Sequence, residues 1–362
     1  MKVGIVTITN GENYGNRLQN YATQNVLTKL GCEVETVFNN YGDNKNSYVK
    51  EGIKSIICLV AQKLTINGNY KINNMERVRK FKRYNDRLIN KSKFEFGRGN
   101  APKEIKDNYD FFVTGSDQVW NPEFPINSNI EFLTFAKPGQ RIAYSASFGI
   151  SKLPDRCKEN YRKWINDMDY LSVREEAGAD IIKELTGRDA EVLVDPTIML
   201  SKDEWLSIAQ KPKCYKGKKY ILTYFLGEMS KEVNMKLNKL AKENDYEIIN
   251  LLDKMDREIY SVDPSEFIWL INNAELMCTD SFHGVVFSLI MKTPFVILDR
   301  ISNCSSMNSR IDTLLKLFNK EERYGMDIED ENIFNMDFSN VDSIMEEERK
   351  RAYRYLKNAM KL

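Results

Sequence analysis

The sequence contains a single histidine, His283, among 362 residues, and its six cysteines are scattered without a Cys-x-x-Cys pair. Zinc sites are usually built from cysteine and histidine at short spacings, so this composition argues against one, and we expect no metal. Scattered cysteines beside apolar segments are typical of free thiols in a reducing compartment.

Excess charge and long hydrophobic runs are also lacking. Lysine and arginine number 53 and aspartate and glutamate 52, so no basic excess indicates a nucleic-acid partner. The first apolar run is too short for a secretory signal, and no run of about 18 apolar residues is present to span a membrane. We therefore expect a cytoplasmic protein with at most peripheral membrane association.

The stretch 273–300, which contains His283, has the most informative pattern. LMCTDS predicts a short strand, GVVFSLIMK a buried helix and TPFVILD a second strand. His283 then lies where a strand ends and a helix begins, which is where open α/β sheets bind ligands. The free N–H groups of the helix favour an anion, and Gly284 would let the backbone approach it. On the residues alone, a functional His283 and a capping or core His283 are equally supported.

The first 38 residues predict a strand–helix–strand unit, with strands at 2–9 and 33–38 and a helix at 17–30. The loop NGENYGN between the first strand and the helix is neither GxGxxG nor a Walker sequence, so its phosphate signal is weak. The loop and the start of the helix are nevertheless rich in hydrogen-bond donors. The candidate substrate-binding residues here are Asn13, Asn16 and Arg17.

Further predicted strands, at 109–114, 141–148, 170–174 and 192–194, end in or beside polar residues. Because the carboxyl ends of parallel strands meet at one edge of a sheet, we expect these residues to line one cleft. The candidates for binding substrate at these ends are Gly115, Ser116, Gln118, Ser147 and Arg174, and the acidic candidates are Asp117 and Glu175.

The alternation of strands and helices predicts an α/β protein with two Rossmann-like domains facing across a cleft, a GT-B-like arrangement. The N-terminal domain is expected at 1–200, with a polar helical insertion at about 39–107. A linker at 201–219 leads to a C-terminal domain at 220–340 that carries His283. The last segment, 341–362, predicts a charged helix that is free to pack back on the N-terminal domain.

Within the insertion, residues 72–88 predict a helix with a strongly basic side. Ile72, Met75, Val78, Phe81 and Leu88 are expected to face the core, and the basic residues, Arg77 among them, to face outward. A solvated face is the favoured interpretation. The alternative is a contact with the phosphates of an anionic acceptor or a membrane surface.

Eight blocks of sequence together resemble the polysaccharide pyruvyl transferase family, and they occur in the family's order over most of residues 1–320. They are NGENYGNRLQNYATQ, FFVTGSDQVWNP, RIAYSASFG, LSVREEAG, VLVDPTIML, YILTYFLG, CTDSFHGVVFSLIMKTPFV and SSMNSRIDTLL. The resemblance implies a GT-B-like fold and phosphoenolpyruvate as co-substrate, with no other cofactor. The acceptor would be a saccharide or lipid-linked oligosaccharide, and the product a pyruvate ketal.

The resemblance also assigns roles to individual residues. The family's histidine falls on His283, in a turn opened by Asp280, and its arginine falls on Arg174, followed by Glu175. Asp280, Asp117 and Glu175 are candidate bases toward the sugar hydroxyls, and capping and turn roles fit each of them equally well. Many members have a donor-binding arginine at the position of Ser281. The candidates to replace that arginine are Arg310, Arg300 and Arg17.

Two alternatives remain open from the sequence. A GT-B glycosyltransferase that uses a nucleotide sugar would have the same layout, although no clear acidic residue for a ribose follows the strand ending at Gly227. A non-catalytic relative is the second alternative, which the serine at position 281 favours.

Overall fold

A computed structural model describes residues 1–39, 66–97, 99–124, 128–301, 309–326 and 332–362. Residues 40–65, in the first part of the predicted insertion, and residues 305–308, at the start of the block SSMNSRIDTLL, lie outside the described residues. Among the helices of the described ranges, none is long and apolar enough to cross a bilayer.

The N-terminal domain is built on a parallel sheet with the strand order β3-β2-β1-β4-β5. A short parallel pair, β6 and β7, continues this sheet through bridges from Ile142 to Tyr170 and from Ala146 to Val173. The strands are β1 (Lys2–Val6), β2 (Glu33–Asn39), β3 (Lys91–Phe96), β4 (Phe111–Thr114), β5 (Arg141–Ala143), β6 (Ser172–Val173) and β7 (Glu191–Val192).

Strand β3 corrects the prediction of a polar helical insertion at 39–107, because part of that segment extends the sheet. Its sequence, KSKFEF, alternates charged residues with serine and phenylalanine, as expected for a strand at the edge of a sheet. The exposed positions are Lys91, Lys93 and Glu95, and charged residues there protect the open edge of the sheet.

The C-terminal domain has a second parallel sheet, with the order β11-β10-β8-β9. Its strands are β8 (Tyr220–Tyr224), β9 (Glu247–Asn250), β10 (Leu276–Thr279) and β11 (Phe295–Ile297). The helices of the described residues, in order, are α1 (Tyr14–Lys29), α2 (Ile66–Leu88), α3 (Asp155–Asn166), α4 (Glu176–Thr186), α5 (Lys202–Leu206), α6 (Lys231–Asn244), α7 (Arg257–Tyr260), α8 (Pro264–Asn272), α9 (Phe282–Met291), α10 (Ser309–Phe318) and α11 (Val341–Met360).

Both sheets reverse their strand order at one point, and the two reversals determine where a ligand can bind. In the first sheet the reversal lies between β1 and β4, and in the second it lies between β8 and β10. Loops that leave two such strands diverge to opposite faces of the sheet and leave a crevice at its carboxyl edge. The loops that follow β1, β4, β8 and β10 therefore contain the residues to consider for a site.

The two domains share one hydrophobic core, which continues from α1 into the second domain. The ring of Tyr14 in α1 stacks on Phe267 of α8 with centroids 4.4 Å apart, and its hydroxyl donates to the Val262 carbonyl at 3.1 Å. This contact places the N-terminus of α1 firmly against the C-terminal domain.

Most of the basic side of helix α2 is exposed, as predicted, but Arg77 is an exception. Arg77 is buried and donates to the carbonyl oxygens of Tyr260 at 2.7 Å and Glu12 at 2.9 Å. Met75 and Val78, predicted to face the core, are 49% and 40% exposed. Arg77 is buried at this position because a guanidinium between the domains can satisfy several carbonyls, which an aliphatic side chain cannot.

The segment 201–219 and the C-terminal helix both pack against the body of the protein. Trp205, within the predicted linker, is fully buried in α5, so this connection is part of the core. Helix α11 lies on the N-terminal domain, where the Tyr355 hydroxyl donates to the Ala143 carbonyl at 2.6 Å and Arg349 donates to the Ile198 carbonyl at 2.7 Å.

Candidate active site

His283 lies in the first turn of α9, directly after β10. Ser281 is the N-cap of this helix, and its hydroxyl accepts a hydrogen bond from the Gly284 N–H at 3.4 Å. Thr279 Oγ1 accepts from the Ser281 N–H at 3.0 Å, which fixes the turn between strand and helix. The side chain of His283 is therefore directed by a capped helix end on the carboxyl edge of the second sheet.

The imidazole of His283 reaches across to the N-terminal domain. Its Nε2 lies 3.5 Å from Asp195 Oδ2, and its Nδ1 side faces Gly15 of α1 so closely that a Cβ on Gly15 would be 2.0 Å from Nδ1. Nε2 is buried and has no hydrogen-bond partner within the described ranges. The ring is thus held by a carboxylate on one side and by the bare backbone of α1 on the other.

Asp195 is the centre of the charged cluster. Its Oδ2 lies 2.7 Å from Arg174 Nη1 and 2.8 Å from Ser116 Oγ, and its Oδ1 accepts from the Thr197 N–H at 3.0 Å. Burial raises the pKa of this carboxyl, but the charge of a protonated His283 and the contacts with Arg174 and Thr197 outweigh burial and hold the pKa well below its usual range. Asp195 is consequently a permanent negative charge beside the imidazole.

Arg174 connects two carboxylates and is itself fully buried. It donates from Nη1 to Asp195 and from Nη2 to Asp117 Oδ1 at 3.0 Å, and its guanidinium lies 4.3 Å from the centre of the Phe282 ring. Both Nη atoms are therefore used within the protein. Burial lowers the pKa of Arg174, but Asp117 and Asp195 more than compensate, so the pKa is raised.

A small cavity of about 270 Å³ opens in front of this cluster, between the two domains. Seven of the predicted site residues line it: Asn13, Asn16, Asp117, Gln118, Ser281, His283 and Arg310. Arg300 lines it as well, together with the unpredicted apolar residues Ile8, Phe124, Leu226 and Phe282. Residues from the loops after β1, β4, β8 and β10, the four strands at the two reversal points, therefore line one cavity.

A larger groove of about 520 Å³ lies behind the same cluster, between α4, α10 and α11. Phe282 lines both the groove and the smaller cavity, and Arg174 and Asp195 line the groove only. Neither His283 nor Arg310 lines the groove. The smaller cavity, where the histidine and the cations converge, is therefore the candidate active site.

Asp117 is the acidic candidate that faces this cavity. Its Oδ1 accepts from Arg174 and from the Gln118 N–H at 2.9 Å, whereas its Oδ2 has no hydrogen bond to the described part of the chain. Burial raises its pKa, but Arg174, His283 and Arg310 together lower it below the usual value. Asp117 therefore presents an ionised oxygen to whatever occupies the cavity.

Two of the other acidic candidates are turned into the protein. Asp280 accepts from the Leu226 and Gly227 N–H groups at 2.7 and 2.8 Å and from Arg300 Nε at 3.1 Å. Glu175 Oε1 accepts from Ser147 Oγ at 3.0 Å and from the Phe148 N–H at 2.9 Å. Neither carboxylate lines the cavity, and these contacts favour positioning roles over the predicted role as bases.

Burial dominates the environment of Glu175 and raises its pKa, although Arg174 and Arg310 act in the opposite direction. Its Oε2 is buried without a hydrogen-bond partner in the described structure. This is the arrangement expected of a carboxyl group that holds a proton more strongly than usual.

Five predicted substrate-binding residues lie behind the cavity rather than on it, and their role in binding substrate remains a prediction. Arg174, as described, is used by two aspartates. Ser116 contacts Asp195 and lies 2.8 Å from the Ser145 carbonyl, and Ser147 donates to Glu175. Gly115 has φ +113° and approaches the Tyr144 carbonyl, which a Cβ would meet at 2.2 Å. The guanidinium of Arg17 donates to the Gly11 carbonyl oxygen, away from the cavity.

Gly284 has a packing role that differs from the predicted approach to a ligand. A Cβ at this position would lie 2.8 Å from Thr279 Oγ1 and 3.0 Å from its Cγ2. The glycine therefore lets α9 pack closely on β10. Of the three arginines that could replace the one expected at Ser281, Arg300 and Arg310 reach the cavity and Arg17 does not.

Two residues of the cluster were not predicted as functional, Asp195 and Gly15. Asp195 caps the short 3-10 helix Pro196–Met199, and the sequence Asp-Pro-Thr at a strand end was the available signal. Gly15 lies in the first turn of α1, but the helix was predicted to begin at residue 17, so the glycine counted as a loop residue and had no signal of its own.

The reversed strand orders and the cavity between two facing sheets define the class of protein: a two-domain α/β protein of the GT-B-like fold. A protein of Listeria monocytogenes described as a UDP-N-acetylglucosamine 2-epimerase has a similar fold, with a TM-score of 0.51 and 13% identity over 99% of this chain and 95% of that chain. UDP-GlcNAc 2-epimerase of Methanocaldococcus jannaschii matches with a TM-score of 0.48 and 15% identity, over 98% of this chain and 100% of that chain.

These likenesses concern the fold alone. None of the curated proteins matches the chain. The chain belongs to the polysaccharide pyruvyl transferase family, whose sequence model matches residues 13–303. That match includes the loop with Asn13, the charged cluster around Asp195 and the His283 turn.

Proposed function

We propose that this protein transfers the pyruvyl group of phosphoenolpyruvate to a sugar of a cell-surface polysaccharide or its lipid-linked precursor. Two hydroxyls of the sugar would be bridged as a pyruvate ketal, and inorganic phosphate would be released. Membership of the family supports a transferase that acts on a saccharide. The observation that carries the choice of donor is the small cationic cavity between the domains.

That cavity suits a compact anion. Arg300, Arg310 and His283 line it, and α9 directs its N-terminus and the positive end of its dipole toward it. Phosphoenolpyruvate carries a phosphate and a carboxylate on three carbons, so cations close together would bind both groups. Fixed cations also stabilise the charge that develops on the departing phosphate.

The size of the cavity fits this donor. Among the described residues it encloses about 270 Å³, close to the lower end of the roughly 300–1,000 Å³ usual for ligand pockets. A nucleotide sugar would need room for a base, a ribose, two phosphates and a hexose. Phosphoenolpyruvate is a fraction of that size.

The proposed reaction has two bond-forming steps. A proton is added to the methylene carbon of the donor, which becomes a methyl group, and the first sugar hydroxyl bonds to the adjacent carbon as it loses its own proton. The second hydroxyl then bonds to the same carbon, and the bond to the phosphate oxygen breaks. One proton from each hydroxyl is thus accounted for, one on the methyl group and one on the phosphate.

His283 and Asp117 are the side chains placed to move these protons. Asp195 lies 3.5 Å from His283 Nε2, and a fixed carboxylate there stabilises the imidazolium whenever the ring takes up a proton. We assign His283 to proton transfer or to stabilising the leaving phosphate. The unpaired Oδ2 of Asp117 would accept a hydrogen bond from a sugar hydroxyl. Each such positioned group contributes typically 10²–10⁴-fold to a rate.

The proposal is tested by measuring phosphate release from phosphoenolpyruvate across a panel of lipid-linked and free sugars. We expect release only with the correct acceptor, and His283→Ala should abolish it while the fold remains intact. Thermal shifts with phosphoenolpyruvate and with UDP- and GDP-sugars provide an independent measurement. Stabilisation by a nucleotide sugar alone would support a glycosyltransferase instead. Tight donor binding without phosphate release on any acceptor would support a non-catalytic relative.

A further inference from the structure

We propose that Arg310 is the anion-binding residue of the cavity and takes a phosphate or carboxylate group of a small dianion. The inference rests on the proposed function for the identity of that dianion, but the binding of an anion follows from the surroundings of Arg310 alone. Arg310 lies in the first turn of α10, and its guanidinium forms part of the cavity wall with Ser281, Phe282 and His283.

Arg310 is a buried cation that has no ion-pair partner among the described residues. The residue is 4% exposed, its Nε is buried with no hydrogen-bond partner, and it forms no ion pair with any carboxylate of the described chain. Taking a charged group out of water without compensation is strongly unfavourable, so buried charges are almost always paired. A protein that keeps such a group beside a cavity has a site for an external counter-ion.

The other arginines near the cavity show the contrast. Arg174 is neutralised by Asp117 and Asp195, and Arg300 by Asp280. Each of these two guanidinium groups therefore has a structural role that explains its burial. Arg310 has no ion pair with a carboxylate of the described residues. Its charge, unlike those of Arg174 and Arg300, is therefore not neutralised by the described part of the protein.

Arg310 remains charged at neutral pH. Burial, followed by repulsion from Arg174, lowers its pKa to about 10, while Asp117 and Glu175 act in the opposite direction through space. Its guanidinium also lies 5.8 Å from the centre of the Phe282 ring, whose face attracts cations. Phe282 begins α9, so the guanidinium and the free N–H groups of that helix border the same space. An anion there would contact both.

The test is binding of inorganic phosphate, pyruvate and phosphoenolpyruvate to the full-length protein by calorimetry. We expect Arg310→Gln to weaken phosphoenolpyruvate binding about 10–100-fold, as is typical when a charge-assisted hydrogen bond is lost. Lys316→Gln removes a charge from the exposed side of the same helix and is the matched control, with unchanged binding. If Arg310→Gln weakens the binding of inorganic phosphate but not of pyruvate, Arg310 binds the phosphate group of the donor. If it weakens the binding of pyruvate but not of phosphate, Arg310 binds the carboxylate group.

A swap of positions separates a binding role from a structural one. Ser281 lines the same cavity, so the double variant Ser281→Arg/Arg310→Ser should recover most of the lost affinity. The ligand-free thermal stability of Arg310→Gln should be equal to or above that of the parent, because an unmatched buried charge has been removed. Unchanged affinity of Arg310→Gln for all three probes would overturn the inference. Arg310-dependent binding without turnover on any sugar would uphold it and would count against the proposed reaction instead.

Discussion

Gly15 and His283 fit together across the two domains, because a Cβ on Gly15 would lie 2.0 Å from His283 Nδ1 and 2.5 Å from Cε1. The glycine is in the first turn of α1, which Tyr14 fixes against α8 of the opposite domain. The methyl group of an alanine there would be fixed to the helix backbone, so the imidazole of His283 would have to turn away to relieve the contact. The position of the imidazole toward Asp195 therefore depends on the missing side chain at Gly15.

Replacing Gly15 by alanine should displace the imidazole and lower kcat about 10²-fold, the effect expected of a misplacement of roughly 1 Å. The intrinsic helix preference changes in the favourable direction, by roughly 0.5–1 kcal/mol. The predicted signature is a large loss of kcat with a small change in KM, measured as phosphate release, and a folded protein by circular dichroism.

The double variant Gly15→Ala/His283→Ala is the control for that prediction. If Gly15 acts through the histidine, any stability that Gly15→Ala loses should be regained in the double variant, because the imidazole that the methyl group meets is absent. A loss of stability that remains in the double variant would mean that Gly15→Ala disturbs the protein by another route.

Glu175→Gln should reveal the proton that burial favours on Glu175. A raised pKa in the folded protein means that the protonated carboxyl stabilises the fold below its ordinary pKa of 4.5, and that this stability is lost as the pH rises through the folded value. Glutamine does not titrate, and its Oε1 accepts the same hydrogen bonds. The stability of the variant relative to the parent should increase with pH, by about 1.4 kcal/mol for each unit of raised pKa.

Urea unfolding of the two proteins at pH 5 and pH 8 measures that difference. Glu176→Gln removes the neighbouring exposed carboxylate and is the matched control, with a difference that does not change with pH. An equal free-energy difference at both pH values for Glu175→Gln would show that the carboxyl is ionised throughout this range.

The sequence was sufficient to predict that several polar residues converge on one cavity, because these residues follow strands of a parallel sheet. Asn13, Asp117 and His283 were found in this way, and all three reach the cavity. Strand ends converge by topology, so a local pattern carries that information.

The finer division between residues on the cavity and residues behind it depends on contacts that no local pattern contains. Ser116 and Gln118 are two residues apart in one loop, yet Ser116 is buried against Asp195 and Gln118 lines the cavity. The contact of Arg77 with Tyr260 joins residues 183 positions apart, so its burial could not be read from the basic pattern of α2. The same holds for Gly15 and Asp195, whose importance arises only when the second domain brings His283 to them.

Asp280→Ala should destabilise the protein and affect activity only through the shape of the site. The side chain is buried and accepts hydrogen bonds from two backbone N–H groups and from Arg300, and its loss leaves these donors unpaired. Breaking a buried ion pair on one side typically costs about 3–5 kcal/mol. Urea unfolding measures the loss of stability. The comparison is Asp299→Ala, which removes a carboxylate that follows β11 and does not line the cavity. A variant of unchanged stability that lost turnover would favour the predicted role as a base.

Arg174→Lys should lower kcat more than it raises KM for phosphoenolpyruvate. Arginine donates to Asp195 and Asp117 from two nitrogens of a planar group, whereas the single ammonium of lysine can hold only one of these carboxylates in place. Release of Asp195 disturbs the carboxylate beside the imidazole, and release of Asp117 disturbs the base that faces the acceptor. Arg300 and Arg310 still line the cavity for the donor. Steady-state kinetics of phosphate release separate the two parameters. Arg323→Lys is the control, since Arg323 is equally buried but, among the described residues, donates only to carbonyl oxygens, such as that of Phe295 at 2.7 Å. This variant should lose stability and keep both parameters. A rise in KM with kcat unchanged would instead assign Arg174 directly to the donor.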